Sequence, residues 1–294
     1  MGKITPHLWY DKEAVEATAL YASVFPDSKV SNVNTIKDTP SGDTDIVSFE
    51  LFGQPFMAIS AGPLFKFNPS ISFMVICETK EEVDDFWGKL SEGGSPLMPL
   101  DSYPFSARYG WTADRYGLTW QIMLDEQRSS GQRITPMLMF VGDMAGKAEE
   151  AFDLYTSVLP NSGKGELLRW EEGEAGEPGG TIKYGKFNLA GQEFAAMDSA
   201  GPHPFTFNEA ISLIVSCDSQ EEIDRYWEAL SAVPESEQCG WLKDKFGVSW
   251  QIVPSAMDKM LISSDEEQLA RVTQAFLQMK KFDIAELERA YAGD

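Results

Sequence analysis

Asp114-Arg115-Tyr116-Gly117-Leu118-Thr119-Trp120-Gln121-Ile122 returns further along the chain as Asp244-Lys245-Phe246-Gly247-Val248-Ser249-Trp250-Gln251-Ile252. In each copy an Asp and a Gly frame a tight turn, because glycine accepts a positive φ without a Cβ clash. The β-branched and aromatic run that follows alternates with period two, which predicts a strand. Leu118, Trp120 and Ile122 share one face of it, and Thr119, Gln121 and Met123 the other. In the second copy Val248, Trp250 and Ile252 oppose Ser249, Gln251 and Val253. Twice, a glutamine stands opposite an apolar stripe. The apolar stripes, with both tryptophans, read as core.

Working outward from this strand, the match extends over most of the chain. Ile4-Thr5-Pro6 recurs as Ile134-Thr135-Pro136, Gly53-Gln54 as Gly191-Gln192, and Gly62-Pro63 as Gly201-Pro202. Phe67-Asn68 with Ile71-Ser72 recurs as Phe207-Asn208 with Ile211-Ser212. The order never breaks, so the chain is a tandem duplication. Each copy reads as two successive βαβββ passes. In the first, strands are predicted over 4–10, 30–37, 45–52 and 56–60, with a helix over 12–25. The second pass opens with a strand over 70–77 and a helix over 80–90, capped by Thr79 with Glu82 and, in the other copy, by Ser219 with Glu222. Residues 173–180, rich in Gly and Glu, read as an exposed loop. The chain after Pro254 has no counterpart in the first copy. A capping box at Ser264 and Glu267, followed by apolar residues at helical spacing, predicts an amphipathic tail that packs on its own domain or docks a second copy as a homodimer.

Composition narrows the function. With 46 acidic against 24 basic residues the net charge is −22, which repels phosphate backbones and anionic membranes. Neither a nucleic acid nor a membrane is expected as a partner. No apolar run is long enough for a membrane span and no basic n-region precedes an apolar h-region, so a cytoplasmic setting is expected. The three cysteines form neither a disulfide framework nor a metal knuckle.

Paired βαβββ modules ending in an Asp-x-x-Gly turn resemble the vicinal oxygen chelate superfamily, which includes glyoxalase I, extradiol dioxygenases and bleomycin-resistance proteins. More closely the chain resembles the PhnB-like branch, often labelled 3-demethylubiquinone-9 3-methyltransferase. The carrying stretches are Ile4–Tyr10, Gly201–Ser212, Gln238–Gln251 and Met279–Ala285. The resemblance implies an α+β fold of two tandem glyoxalase-like domains, 1–125 and 134–255. Each consists of two βαβββ modules forming a curled-sheet cup. Residues 126–133 link the domains, and 256–294 form a helical tail.

In metal-dependent relatives the ligands, commonly two His and two Glu, come from the first and last strands of the modules. Carried over, those positions fall near Thr5 or His7, on Ser70 and on Gln121. In the second copy they fall near Thr135 or Met137, on Ala210 and on Gln251. Only His7 and His203 supply imidazole in the whole chain. Neutral amides and hydroxyls do not hold a divalent transition metal tightly, so no metal or other cofactor is expected, with His7 the weak candidate ligand. A metal-independent cup for a small, mostly apolar molecule suits the residues better. It would be lined by Thr5, His7, Trp9, Thr119 and Gln121 in one half and by Thr135, Met137, Met139, Ser249 and Gln251 in the other. Trp111 and Trp241 either close the rims or join the core, and the two glutamines either bridge strands or touch ligand. The alternatives are a metal-dependent lyase, isomerase or dioxygenase, and a non-catalytic assembly scaffold. No Gly-rich strand-to-helix turn supports true methyltransferase chemistry, and no GxSxG elbow supports a hydrolase.

Overall fold

The structure is a computed structural model that describes residues 3–39, 41–126, 131–261 and 265–293. The first module comprises β1 (Ile4–Tyr10), α1 (Ala14–Val24), β2 (Lys29–Thr39), β3 (Gly42–Leu51) and β4 (Gln54–Ser60). The second comprises β5 (Ile71–Cys77), α2 (Lys80–Leu90), β6 (Ser95–Tyr103), β7 (Ser106–Ala113) and β8 (Thr119–Leu124). The third repeats the pattern with β9 (Ile134–Phe140), α3 (Ala148–Val158), β10 (Gly163–Arg169), β11 (Ile182–Leu189) and β12 (Gln192–Asp198). The fourth has β13 (Ile211–Cys217), α4 (Gln220–Leu230), β14 (Trp241–Lys243) and β15 (Ser249–Pro254). The tail adds α5 (Met257–Leu261), α6 (Glu266–Leu277) and α7 (Ile284–Ala292).

The strands form two mixed sheets, ordered β14-β15-β13-β1-β4-β3-β2 and β10-β11-β12-β9-β5-β8-β7-β6. Each sheet therefore joins one module from each half of the chain. The seams are antiparallel: β1 pairs with β13 (Thr5 opposite Ile214, His7 opposite Ser212), and β5 with β9 (Ser72 opposite Met137, Met74 opposite Thr135).

The repeated nine residues are the anchor of each module pair. Gly117 and Gly247 adopt φ +88° and +90°, the left-handed region their turns need. Asp114 turns back under the strand: its Oδ1 accepts the Tyr116 and Leu118 amides, and its Oδ2 accepts the Tyr21 hydroxyl (2.7 Å) and the Trp120 indole (2.9 Å). Asp244 makes the same four bonds with Phe246, Val248, Tyr155 and Trp250. Trp120 and Trp250 are completely buried in the core between sheets and helices. The aspartate thus ties the last strand of one module to the helix of its partner. Burial raises the pKa of both carboxyls, opposed by the bonds they accept.

Thr79 and Ser219 cap α2 and α4, accepting the Glu82 and Glu222 amides. Ser264 lies outside the described residues; α6 is capped by Asp265, which accepts the Glu267 and Gln268 amides. The tail docks on the fourth module. The Cys239 and Gly240 amides donate to Met279 and Lys280 carbonyls, and Phe282 is buried against Gly240. No helix among the described residues is long and apolar enough to cross a membrane.

Candidate functional site

Residues opposite one another in neighbouring strands point to the same face. On the seven-stranded sheet one row runs Met57, His7, Ser212, Ser249 and the next runs Thr5, Ile214, Gln251, Trp241. Trp9 continues this concave face: its indole donates to the Gly62 carbonyl (2.8 Å), and its ring meets Phe65 and Trp241 edge-on. The face forms the first cup. On the eight-stranded sheet the row is Trp111, Gln121, Met74, Thr135, flanked by Met137 opposite Ser72 and Met123 opposite Ile76. Met74, Ile76, Met137 and Ala195 pack together there, with Met123, Tyr184 and Met197 against them. This is the second cup.

The lining residues expected together within each half of the chain are divided between the two sheets. Thr5, His7 and Trp9 share their cup with Ser249, Gln251 and Trp241. Thr119, Gln121 and Trp111 share theirs with Thr135, Met137 and Met139. The reason is the crosswise pairing of modules. Gln121 and Gln251 bridge strands: their amides donate to Ser72 Oγ (2.7 Å) and Ser212 Oγ (2.9 Å). Gln121 also accepts from the Tyr109 hydroxyl (2.8 Å). Thr119 spends its hydroxyl on the Ile71 carbonyl. The strand positions carried over as Ser70 and Ala210 precede their strands; Ser72 and Ser212 are the inward residues. The recurrence of Ile-Ser at 71–72 and 211–212 was the available signal.

His7 is 3% exposed, its ring meets Trp241 edge-on at 5.5 Å, and its Nδ1 has no hydrogen-bond partner. Burial holds its pKa down to about 3, so the imidazole is neutral at physiological pH. That neutral nitrogen is a fair ligand, but Ser212, Ser249, Met57 and Gln251 around it offer neither charge nor a second imidazole. Among the described residues no three His, Cys, Asp or Glu side chains converge as a metal site. The donor set does not fit the metal of the wider superfamily. Burial also pushes the Cys77 and Cys217 thiols up to about 12, which removes them as thiolates. His203 lies apart, with Nε2 2.9 Å from Ser199 Oγ. It borders an open groove of about 590 Å³ between the loops at 66–68 and 203–208. There Asn68 and Asn208 donate reciprocally to the Thr206 and Lys66 carbonyls, a clamp between the two copies.

The family model described as 3-demethylubiquinone-9 3-methyltransferase matches residues 2–123 and again 132–253. The chain belongs to this family. A PhnB protein from Bacillus cereus is 39% identical, over 42% of this chain and 99% of its own, with a TM-score of 0.40. Glyoxalase I from Zea mays is 13% identical over 88% of this chain and 96% of its own (TM-score 0.54). A candidate dioxygenase from Bacillus subtilis is 14% identical over 93% and 96% (TM-score 0.53). These last two likenesses are of fold, the paired curled sheets of the vicinal oxygen chelate superfamily. No curated protein matches the chain.

Proposed function

We propose that the protein binds a small, mostly apolar molecule against the concave face of a curled sheet, without a metal. The observation that carries this is where its unsatisfied polar atoms lie. Among the described residues, the buried side-chain atoms without a hydrogen-bond partner are His7 Nδ1, Trp111 Nε1, Thr135 Oγ1, Gln192 Oε1, Ser249 Oγ and Thr273 Oγ1. His7 and Ser249 face the first cup, Trp111 and Thr135 the second. A buried polar group left unpaired costs about 1–3 kcal/mol, which a ligand that meets it returns. The other polar groups of the lining are engaged within the protein, as Gln121 and Gln251 are with Ser72 and Ser212 and Thr119 is with the Ile71 carbonyl, and the remainder is apolar, so shape and a few polar contacts would select the ligand.

A metal-dependent lyase, isomerase or dioxygenase needs a converging charged donor set, and the cups supply one imidazole among neutral groups. The methyl transfer in the family's name normally uses a nucleotide cofactor at a Gly-rich turn in a parallel αβ sheet, a framework unlike two mixed curled sheets. The test is a titration of chelator-treated protein with the neutral apolar dye Nile red, alongside elemental analysis of untreated protein. Saturable binding in excess chelator, without stoichiometric metal, is the expected result. Near-stoichiometric zinc, nickel or manganese that disappears in His7→Ala would overturn the reading.

A further inference from the structure

Equivalent positions of the two cups carry different chemistry. Where the first has His7, Trp9, Ile214 and Val253, the second has Met137, Met139, Met74 and Met123. Met197 lies opposite Met139, in the register place that Ile59 holds opposite Trp9. The duplicated chain has thus gathered five thioether side chains, Met74, Met123, Met137, Met139 and Met197, on one concave face, where the other has Met57 opposite His7. Methionine is unbranched, polarisable and adaptable, and suits a surface that must mould to an irregular apolar body.

The cups also differ in what lies over them. After β15 the chain enters α5, and the Asn34 side-chain amide on β2 donates to the Leu261 carbonyl (2.5 Å). Asn34 lies opposite Ile46, Ile46 opposite Ile59, and Ile59 opposite Trp9, so Asn34 points into the first cup. From β15 to β2 is five strand spacings, about 24 Å on a flat sheet. The seven residues after Pro254, five of them helical, reach only about 15 Å. The sheet must therefore curl until its two sides approach, and the tail bridges the gap. Met257 and Met260 are buried in this bridge, and Lys37 pairs with Glu266 just beyond it. In the second cup the rim residue on the edge strand is Leu168, opposite the cluster's Tyr184, and it is 49% exposed. Phe105, stacked on Tyr103 and edge-on to Tyr109, is 61% exposed.

We infer that the two cups divide the work: the methionine-lined cup takes the ligand, and the chain's own tail closes the other. This rests on the binding reading above and names its site. It also narrows the ligand. Trp111 Nε1 is a donor only, and with the Thr135 hydroxyl it asks for a neutral molecule carrying an acceptor oxygen such as a carbonyl. Trp111 and Thr135 stand three strand spacings apart, about 14 Å along an uncurled sheet and less across a curled one, so the molecule is elongated.

Nile red, neutral and carbonyl-bearing, tests this on the full chain. Hydrogen peroxide oxidation of each methionine is followed by peptide mass spectrometry, with and without dye. We expect one dye per chain and at least fivefold slower oxidation of the half-buried Met123 and Met197. Leu168→Arg at the open rim should weaken dye binding at least fivefold. Val33→Arg, an equally exposed apolar site on the edge strand of the other sheet, should leave it within twofold. Saturable binding with unchanged oxidation of Met123 and Met197, two dyes per chain, or an indifferent Leu168→Arg would overturn the division while leaving a binding protein. Absence of saturable binding would remove both readings.

Discussion

Replacing His7 by methionine, the residue its counterpart Met137 already is, should change how stability depends on pH. In the folded protein burial holds the imidazole pKa down to about 3, against an ordinary value of 6.5. Below pH 6.5 the unfolded chain gains a proton that the native state refuses, so His7 removes stability as pH falls from 6.5 towards 3 and contributes no slope above 6.5. Between pH 7.5 and 5.5 the loss is about 1.4 kcal/mol, from about 1.36 kcal/mol per pKa unit. That window stays above the isoelectric point of about 4.4. Urea unfolding followed by far-ultraviolet circular dichroism at both pH values measures it, wild type against His7→Met. The buried carboxyls of Asp114 and Asp244 carry raised pKa values and a slope of opposite sign, but both proteins share them and the difference cancels them. The wild type should lose about 1.4 kcal/mol more than the variant. Equal losses, within about 0.5 kcal/mol, would show that His7 titrates normally and is not sealed in the cup.

Asp244→Asn replaces one accepting oxygen by a donor facing the Trp250 indole and the Tyr155 hydroxyl, and should cost about 1–3 kcal/mol in chemical denaturation, with an altered near-ultraviolet tryptophan signal. An unchanged midpoint would mean that the aspartate is not the anchor described. Gly240→Ala would place a Cβ 2.4 Å from the Phe282 ring at a φ of +81°. It should destabilise by about 1–3 kcal/mol and speed amide exchange across 265–293. Wild-type exchange there would contradict the docking of the tail.

Much of the fold is legible in the residues. The strand at 4–10 and the helix at 80–90 keep the bounds that periodicity and capping assign them. The Asp-x-x-Gly turn and the buried tryptophans follow from local chemistry. Which strands become neighbours does not. Period-two patterning says which face a residue occupies and is silent about the partner strand, so it pairs His7 with Gln121 of its own half as readily as with Gln251, which shares its sheet. Ser70 and Ser72 are two residues apart and share a face, so the carried-over position differs in its place along the chain and not in its side: the strand begins only at Ile71. Every residue of Ile71–Cys77 is buried, so no polar alternation marks which of them face the cup. The methionine cluster was hidden for the same reason, since Met74 reads as core whichever way it points. The fourth module departs from the repeat as well. Only Trp241–Lys243 and Ser249–Pro254 form strands there after the helix, and tail residues Met279 and Lys280 bond the backbone just before Trp241.

The crosswise sheets separate two ideas that a repeat usually merges. The unit copied in sequence is one half of the chain, but neither half owns a complete sheet. A break in the linker would sever one covalent connection and leave both seams, β1 with β13 and β5 with β9, still joined. The segment that was duplicated is therefore not the segment that makes a sheet: each sheet is assembled from both copies.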